Sequence, residues 1–229
     1  MDNFIFTCGD INGIGPEISI KAINQLYSKE KYKLTLIIPK NVFEYYQDQI
    51  EINFPFEFCT EITNEIINDG KVAILDIGNT EIMVGKITRE SGFASYNSVL
   101  VGFNLLNNQL GSAIITSPIS KEAWSLAGVN YTGHTELFGK LAGVKNYSMM
   151  FLSNRFKGRR KAIKDFTHMA PDFVFWIFPD GKLFDAKEAH RKNTPKGHRH
   201  ILEDEPDYCG FLRGRLASNF GPQLLVVYC

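Results

Sequence analysis

Phe4-Ile5-Phe6-Thr7-Cys8-Gly9-Asp10-Ile11-Asn12-Gly13-Ile14-Gly15-Pro16-Glu17 is the stretch that decides the fold. Its first five residues read as a short buried strand. Gly9, Gly13 and Gly15 then let the backbone turn tightly and approach a ligand. Pro16 suits the first helical position, and Glu17 suits the positive end of a helix. Ile18, Ala22, Ile23, Leu26 and Tyr27 follow at helical spacing. The stretch is therefore a strand–loop–helix unit.

The same alternation continues downstream. Residues 34–38 and 71–77 read as apolar strands, with Asn41 capping the helix after the first. Residues 96–106 predict a helix whose apolar face is Val99, Leu100, Phe103 and Leu106, with Ser95 as its cap. Residues 113–115 form a strand, 121–127 a short helix ended by Gly128, 135–141 a helix and 147–152 a strand. This order predicts an α/β fold, a layered and largely parallel sheet with helices. Sites in such folds form at the carboxyl ends of the strands.

The texture changes after Asn154. Residues 157–164 are basic, and residues 173–184 read as a hairpin turning at Pro179-Asp180-Gly181. Residues 224–228 form an apolar strand. The expected division is an α/β portion over 1–156 and an unrelated or divergent tail with a β-hairpin over 157–229.

Bulk composition narrows the function. A chain of 229 residues with 44% hydrophobic and 22% charged content buries a sizeable core. The net charge of zero argues against a dedicated nucleic-acid binder. That zero conceals a split, because residues 157–229 hold 13 Lys and Arg against 9 Asp and Glu. The basic run at 157–164 reads as a solvated face. No stretch approaches the ~20 apolar residues of a membrane span. Cys8, Cys59, Cys209 and Cys229 show no metal spacing, which fits reduced thiols. Met1-Asp2-Asn3 does not open a signal peptide, so a cytoplasmic location is expected.

Three further segments carry groups that bind anions or move protons. Ser91-Gly92-Phe93-Ala94-Ser95 offers hydroxyls near a helix start. Thr116-Ser117-Pro118-Ile119-Ser120-Lys121 leaves a strand and ends on a cation suited to a phosphate or carboxylate. Gly133-His134-Thr135-Glu136 opens a helix with an imidazole and a hydroxyl. Each segment also has a plain structural reading, as a turn, a helix cap or a solvated lysine.

Taken together, residues 9–17, 91–95, 116–121 and 133–136 resemble, in order, the GDPxGIGPE, SGxxS, TxPIxK and GHTE motifs of the 4-hydroxythreonine-4-phosphate dehydrogenase (PdxA) family. The likeness runs from residue 4 to about residue 152. It implies an isocitrate-dehydrogenase-like fold and a homodimer acting on a small phosphorylated substrate in vitamin B6 biosynthesis. NAD or NADP would oxidise 4-phosphohydroxy-L-threonine, and a divalent metal would assist the oxidation and the decarboxylation that follows. The family's substrate-binding pair falls on His134 and Thr135. Ser91, Ser95, Thr116 and Lys121 are candidates for the phosphate or substrate loops.

Family members are longer than this chain. Their first metal histidine, counted without a gap, falls on Lys164. Thr167-His168-Met169-Ala170-Pro171 is a shifted echo that makes His168 the candidate ligand. The remaining metal ligands have no counterpart here, so the resemblance implies a truncated enzyme with impaired activity. The alternative is a non-catalytic ligand-binding remnant or an interaction protein arising from a gene fusion or truncation.

Overall fold

The computed structural model describes residues 2–29 and 32–143, together with the backbone of three strands at 148–152, 172–177 and 224–228. The elements are β1 (Asp2–Thr7), α1 (Gly15–Tyr27), β2 (Tyr32–Ile38), α2 (Lys40–Gln47), β3 (Phe56–Cys59), α3 (Asn64–Asn68), β4 (Val72–Asp76), α4 (Arg89–Asn107), β5 (Ala113–Thr116), α5 (Lys121–Leu126), α6 (His134–Leu141), β6 (Ser148–Leu152), β7 (Asp172–Ile177) and β8 (Leu224–Tyr228). The strands make one sheet in the order β3-β4-β2-β1-β5-β8-β7-β6. All described pairings are parallel except β6–β7 and β7–β8. The expected largely parallel α/β sheet is therefore what forms.

Strand alternation sorts the core into two layers. Phe6, Leu34, Leu36, Ile38, Val72, Ile74 and Ile115 face one side, where they meet Ile20 and Ile23 of α1 and Val42 and Phe43 of α2. Ile5, Ile37, Ala73, Leu75 and Ile114 face the other, against Val99 of α4, Trp124 of α5 and Leu137 and Phe138 of α6. With both faces covered, the strands read as continuous apolar runs. One polar pair is buried within the sheet: Thr35 donates to Asn3 Oδ1 at 3.2 Å.

Two local features, the start of α4 and the cap of α2, differ from the sequence expectations. α4 begins at Arg89, about two turns before residue 96, and its N-cap is Thr88 rather than Ser95. Tertiary packing outweighs the poor helix propensity of Ser91 and Gly92. Asn41 does not cap α2, whose N-cap is Pro39. The Asn41 amide instead donates to Thr80 O at 2.7 Å and accepts from Thr80 N. β7 has both edges filled, by β6 and by β8, so it is the reversed central member of a three-strand meander in space. The hairpin partner expected at 182–184 lies outside the described residues.

From β1 the chain steps to β2 on one side and later to β5 on the other. The carboxyl ends of β1 and β5 thus flank the point where the winding reverses, the place where open α/β sheets bind ligands.

Candidate functional site

The glycine loop after β1 docks directly on the loop after β5. Asp10 N–H donates to Pro118 O at 2.8 Å. Gly9 has φ +64°, and a Cβ there would stand 2.4 Å from the same oxygen. Only glycine gives both the left-handed turn and that approach. A buried hydroxyl cluster locks the corner from beneath. Ser19 Oγ donates to Thr7 O and lies 2.5 Å from Ser117 Oγ, while Ser117 N–H donates to Thr7 Oγ1.

Asn12 is 2% exposed and organises the other flank. Its Oδ1 accepts from Met83 N–H, and its Nδ2 donates to Lys86 O and Thr88 Oγ1. Asn12 O also accepts from Gly85 N–H at 2.7 Å. The residue therefore fastens the segment before α4 to the glycine loop. The amides of Asp10, Asn12 and Gly13 are all spent within the protein.

The second and third polar segments meet. Ser120 caps α5, its hydroxyl accepting from Ala123 N–H, so Lys121 is the first helical residue. The Lys121 stem passes 3.7 Å from where a Gly133 Cβ would stand, bringing its exposed ammonium beside the 133–136 turn. Among the described residues, no carboxylate pairs with it. Glu136 Oε2 accepts from Thr132 N–H at 2.8 Å, which closes the turn and holds its carboxyl below the usual range. Thr135 sits at the second position of α6, whose N-cap is Gly133, so of its two readings the helix cap is not the one taken.

His134 is buried, with the Trp124 ring edge-on at 5.5 Å and the Phe138 ring stacked at 6.2 Å. Burial pushes its pKa down to about 3, so the imidazole is neutral near pH 7. A neutral ring carries one N–H donor and one nitrogen acceptor.

The sign of the resulting acid sensitivity is fixed. The unfolded chain binds this proton below the ordinary value near 6.5, and the folded chain does not until about 3. Stability is thus undiminished above pH 6.5 and falls as pH drops between those values, by about 1.4 kcal/mol per unit. We expect His134→Gln to flatten this slope, as read from urea midpoints between pH 7 and pH 4.5. Parallel slopes in the two proteins would refute the buried neutral ring.

Ser91 and Ser95 sit inside α4 and are buried. Ser91 N–H donates to Thr88 Oγ1, and Ser91 Oγ donates to Thr88 O. Ser95 Oγ donates to Gly92 O and accepts from Trp124 Nε1–H at 2.7 Å. Both hydroxyls are committed to the protein. Thr116 is buried at the end of β5. His168 lies outside the described residues.

Among the described residues, no group of three His, Cys, Asp or Glu converges to hold a metal ion. Cys8 is buried with its thiol pushed up to about 12, and burial likewise raises Cys59 to about 11, so neither is a nucleophile near neutral pH. Among the described residues, no helix is long and apolar enough to cross a membrane.

Two open clefts flank the exposed Phe93. One, of about 470 Å³, is lined by Asn79, Thr80, Arg89 and Asn97 among others. The other, of about 320 Å³, runs past Tyr96 to Asn130 and Tyr131, just before the 133–136 turn. Sequence reasoning missed Asn12 and Trp124 as organisers. Asn12 stands in a loop already suspected, but nothing in the sequence names its partners, about 70 residues away.

The profile of a family described as "Pyridoxal phosphate biosynthetic protein PdxA" matches residues 29–160. A 4-hydroxythreonine-4-phosphate dehydrogenase of a Nostoc species is 31% identical over 154 residues, covering 64% of this chain and 40% of that protein. An Oceanobacillus iheyensis protein, provisionally named a D-threonate 4-phosphate dehydrogenase, is 30% identical over 155 residues, covering 66% of this chain and 46% of its own length. The crystal structure of a 4-hydroxythreonine-4-phosphate dehydrogenase from Burkholderia phymatum shares the fold with TM-score 0.60 and 23% identity, covering 67% of this chain and 47% of that one. The chain thus spans under half the length of the curated relatives it matches.

Proposed function

Since the chain belongs to the family of the pyridoxal phosphate biosynthetic protein PdxA, we propose that its described lobe is the substrate-holding part of a dehydrogenase acting on 4-phosphorylated 3-hydroxy acids of four carbons. The observation that carries this reading is the meeting of Lys121 with the turn that presents His134. 4-Phosphohydroxy-L-threonine is the first candidate substrate, and D-threonate 4-phosphate, named for a relative, is the second. The two share the phosphate, the carboxylate and the hydroxyl to be oxidised.

In this reading the Lys121 ammonium faces an anionic end of the substrate. The neutral His134 ring and the Thr135 hydroxyl hold its polar middle, and Thr116 shapes the floor. Ser91 and Ser95 support the site from behind. NAD or NADP, when bound, would take up the hydride from the hydroxyl-bearing carbon as the hydroxyl proton is released. The β-keto acid so formed would then lose carbon dioxide. The described residues do not supply a divalent-metal ligand set, so no step through a metal is derived from them. Homodimerisation and a cytoplasmic location complete the proposal by resemblance.

Titration calorimetry of the full chain with each acid tests it. Heat from at least one of them, lost in His134→Ala, is expected. No binding of either acid would overturn the reading. NADH formation with added divalent metal then separates an enzyme from a protein that binds without turnover.

A further inference from the structure

We propose that Ser95 is a positioning residue for His134, acting through the indole of Trp124. The inference rests on the reading above, in which His134 contacts substrate, and it deepens that reading.

The geometry begins at the crossing of α4 and α5. A Cβ on Gly92 would lie 2.0 Å from Ala123 O, so the two helices touch backbone to backbone. At that distance the short Ser95 side chain, one turn on and on the same face, reaches the indole. Trp124 is 0% exposed, and its Nε1–H is the one donor the ring has. That donor meets Ser95 Oγ at 2.7 Å. The hydroxyl is itself oriented, because its proton goes to Gly92 O at 3.0 Å. The backbone of Ser95 is tied further by Ser98 Oγ, which donates to Ser95 O at 2.8 Å.

The indole held in this way stands nearly perpendicular to the imidazole at 5.5 Å, and Phe138 stacks with that ring at 6.2 Å. Tyr96 also packs against the indole, with ring centroids 5.7 Å apart. Rotating Trp124 therefore means breaking a buried hydrogen bond and removing a ring that packs on His134. The serine sets the ring that sets the histidine. This gives the 91–95 segment a function without direct ligand contact, consistent with both of its hydroxyls being spent inside the protein.

The test uses full-length chain labelled with 15N. Ser95→Ala is expected to shift the His134 imidazole resonances and to speed exchange of the Trp124 indole proton by about tenfold, the scale of one lost hydrogen bond. Affinity for 4-phosphohydroxy-L-threonine should fall by a similar factor. Ser95→Cys fills the site with a slightly larger, weaker acceptor, and should move the same resonances less far. It decides the matter if the alanine variant does not fold. Unchanged His134 resonances in the folded variant would overturn the proposal. If the unmodified chain binds no substrate, the functional reading falls, and the resonance comparison still judges the positioning role.

Discussion

Gly92→Ala is expected to destabilise the protein by about 2–3 kcal/mol, against the direction that helix propensity alone dictates. In an exposed helix interior this change gains about 1 kcal/mol, because alanine loses less backbone entropy. Here the new methyl meets Ala123 O at 2.0 Å and the carbonyl carbon at 2.3 Å. Both belong to backbone, so neither swings aside and α5 must back away. That retreat stretches the Ser95–Trp124 bond and carries Lys121 with it. Gly102→Ala is the internal control in the same helix, since its nearest neighbour is the flexible end of Ile37 at 3.3 Å. Urea midpoints measure both. Equal midpoints for the two variants would show that the helices do not cross this closely.

Lys121→Ala should separate function from stability. Losing a charge-assisted contact to a phosphate or carboxylate costs about 2 kcal/mol, or roughly thirtyfold in affinity. The fold itself loses nothing comparable. Lys121 is exposed, carries no ion pair among the described residues, and sits in the first turn of α5, where a cation opposes the helix dipole. The unfolding midpoint should therefore stay level or rise slightly, while calorimetric affinity falls and its salt dependence weakens. A variant that binds as tightly as the parent would remove Lys121 from the site.

What the sequence disclosed was mostly local. The opening strand, glycine loop and helix are legible because apolar runs, Pro16 and Glu17 act within a few residues of one another. β8 is likewise readable as Leu-Leu-Val-Val-Tyr, but its place between β5 and β7 is not. Pairing partners are chosen by the assembled sheet rather than by periodicity. β3 was legible and missed: Phe56-Glu57-Phe58 alternates as a half-buried strand does, behind Pro55. Thr88 with Glu90 was an available start signal for α4, masked by the glycine and serines that follow. In the site, residue types pointed to Lys121 and His134, and spacing could not show that a lysine stem crosses a glycine twelve residues away. The serines of 91–95 looked like ligand groups because a hydroxyl's partners are invisible in one dimension.

β1 illustrates a consequence that lies in time rather than in space. Its register sets Phe4 beside Leu34 on one edge and beside Ala113 on the other. The first neighbour is thirty residues away and the second more than a hundred. As the chain emerges from the ribosome, β1 and β2 find each other early, and the opposite edge of β1 waits until β5 has been made. Such distant closures are slow, and an apolar strand with an open edge invites other chains in the interval. The seal between Asp10 and Pro118 belongs to the same late event. The corner that holds the polar loops thus forms late in the assembly of this lobe, and any delay in β5 leaves β1 with an open, adhesive edge.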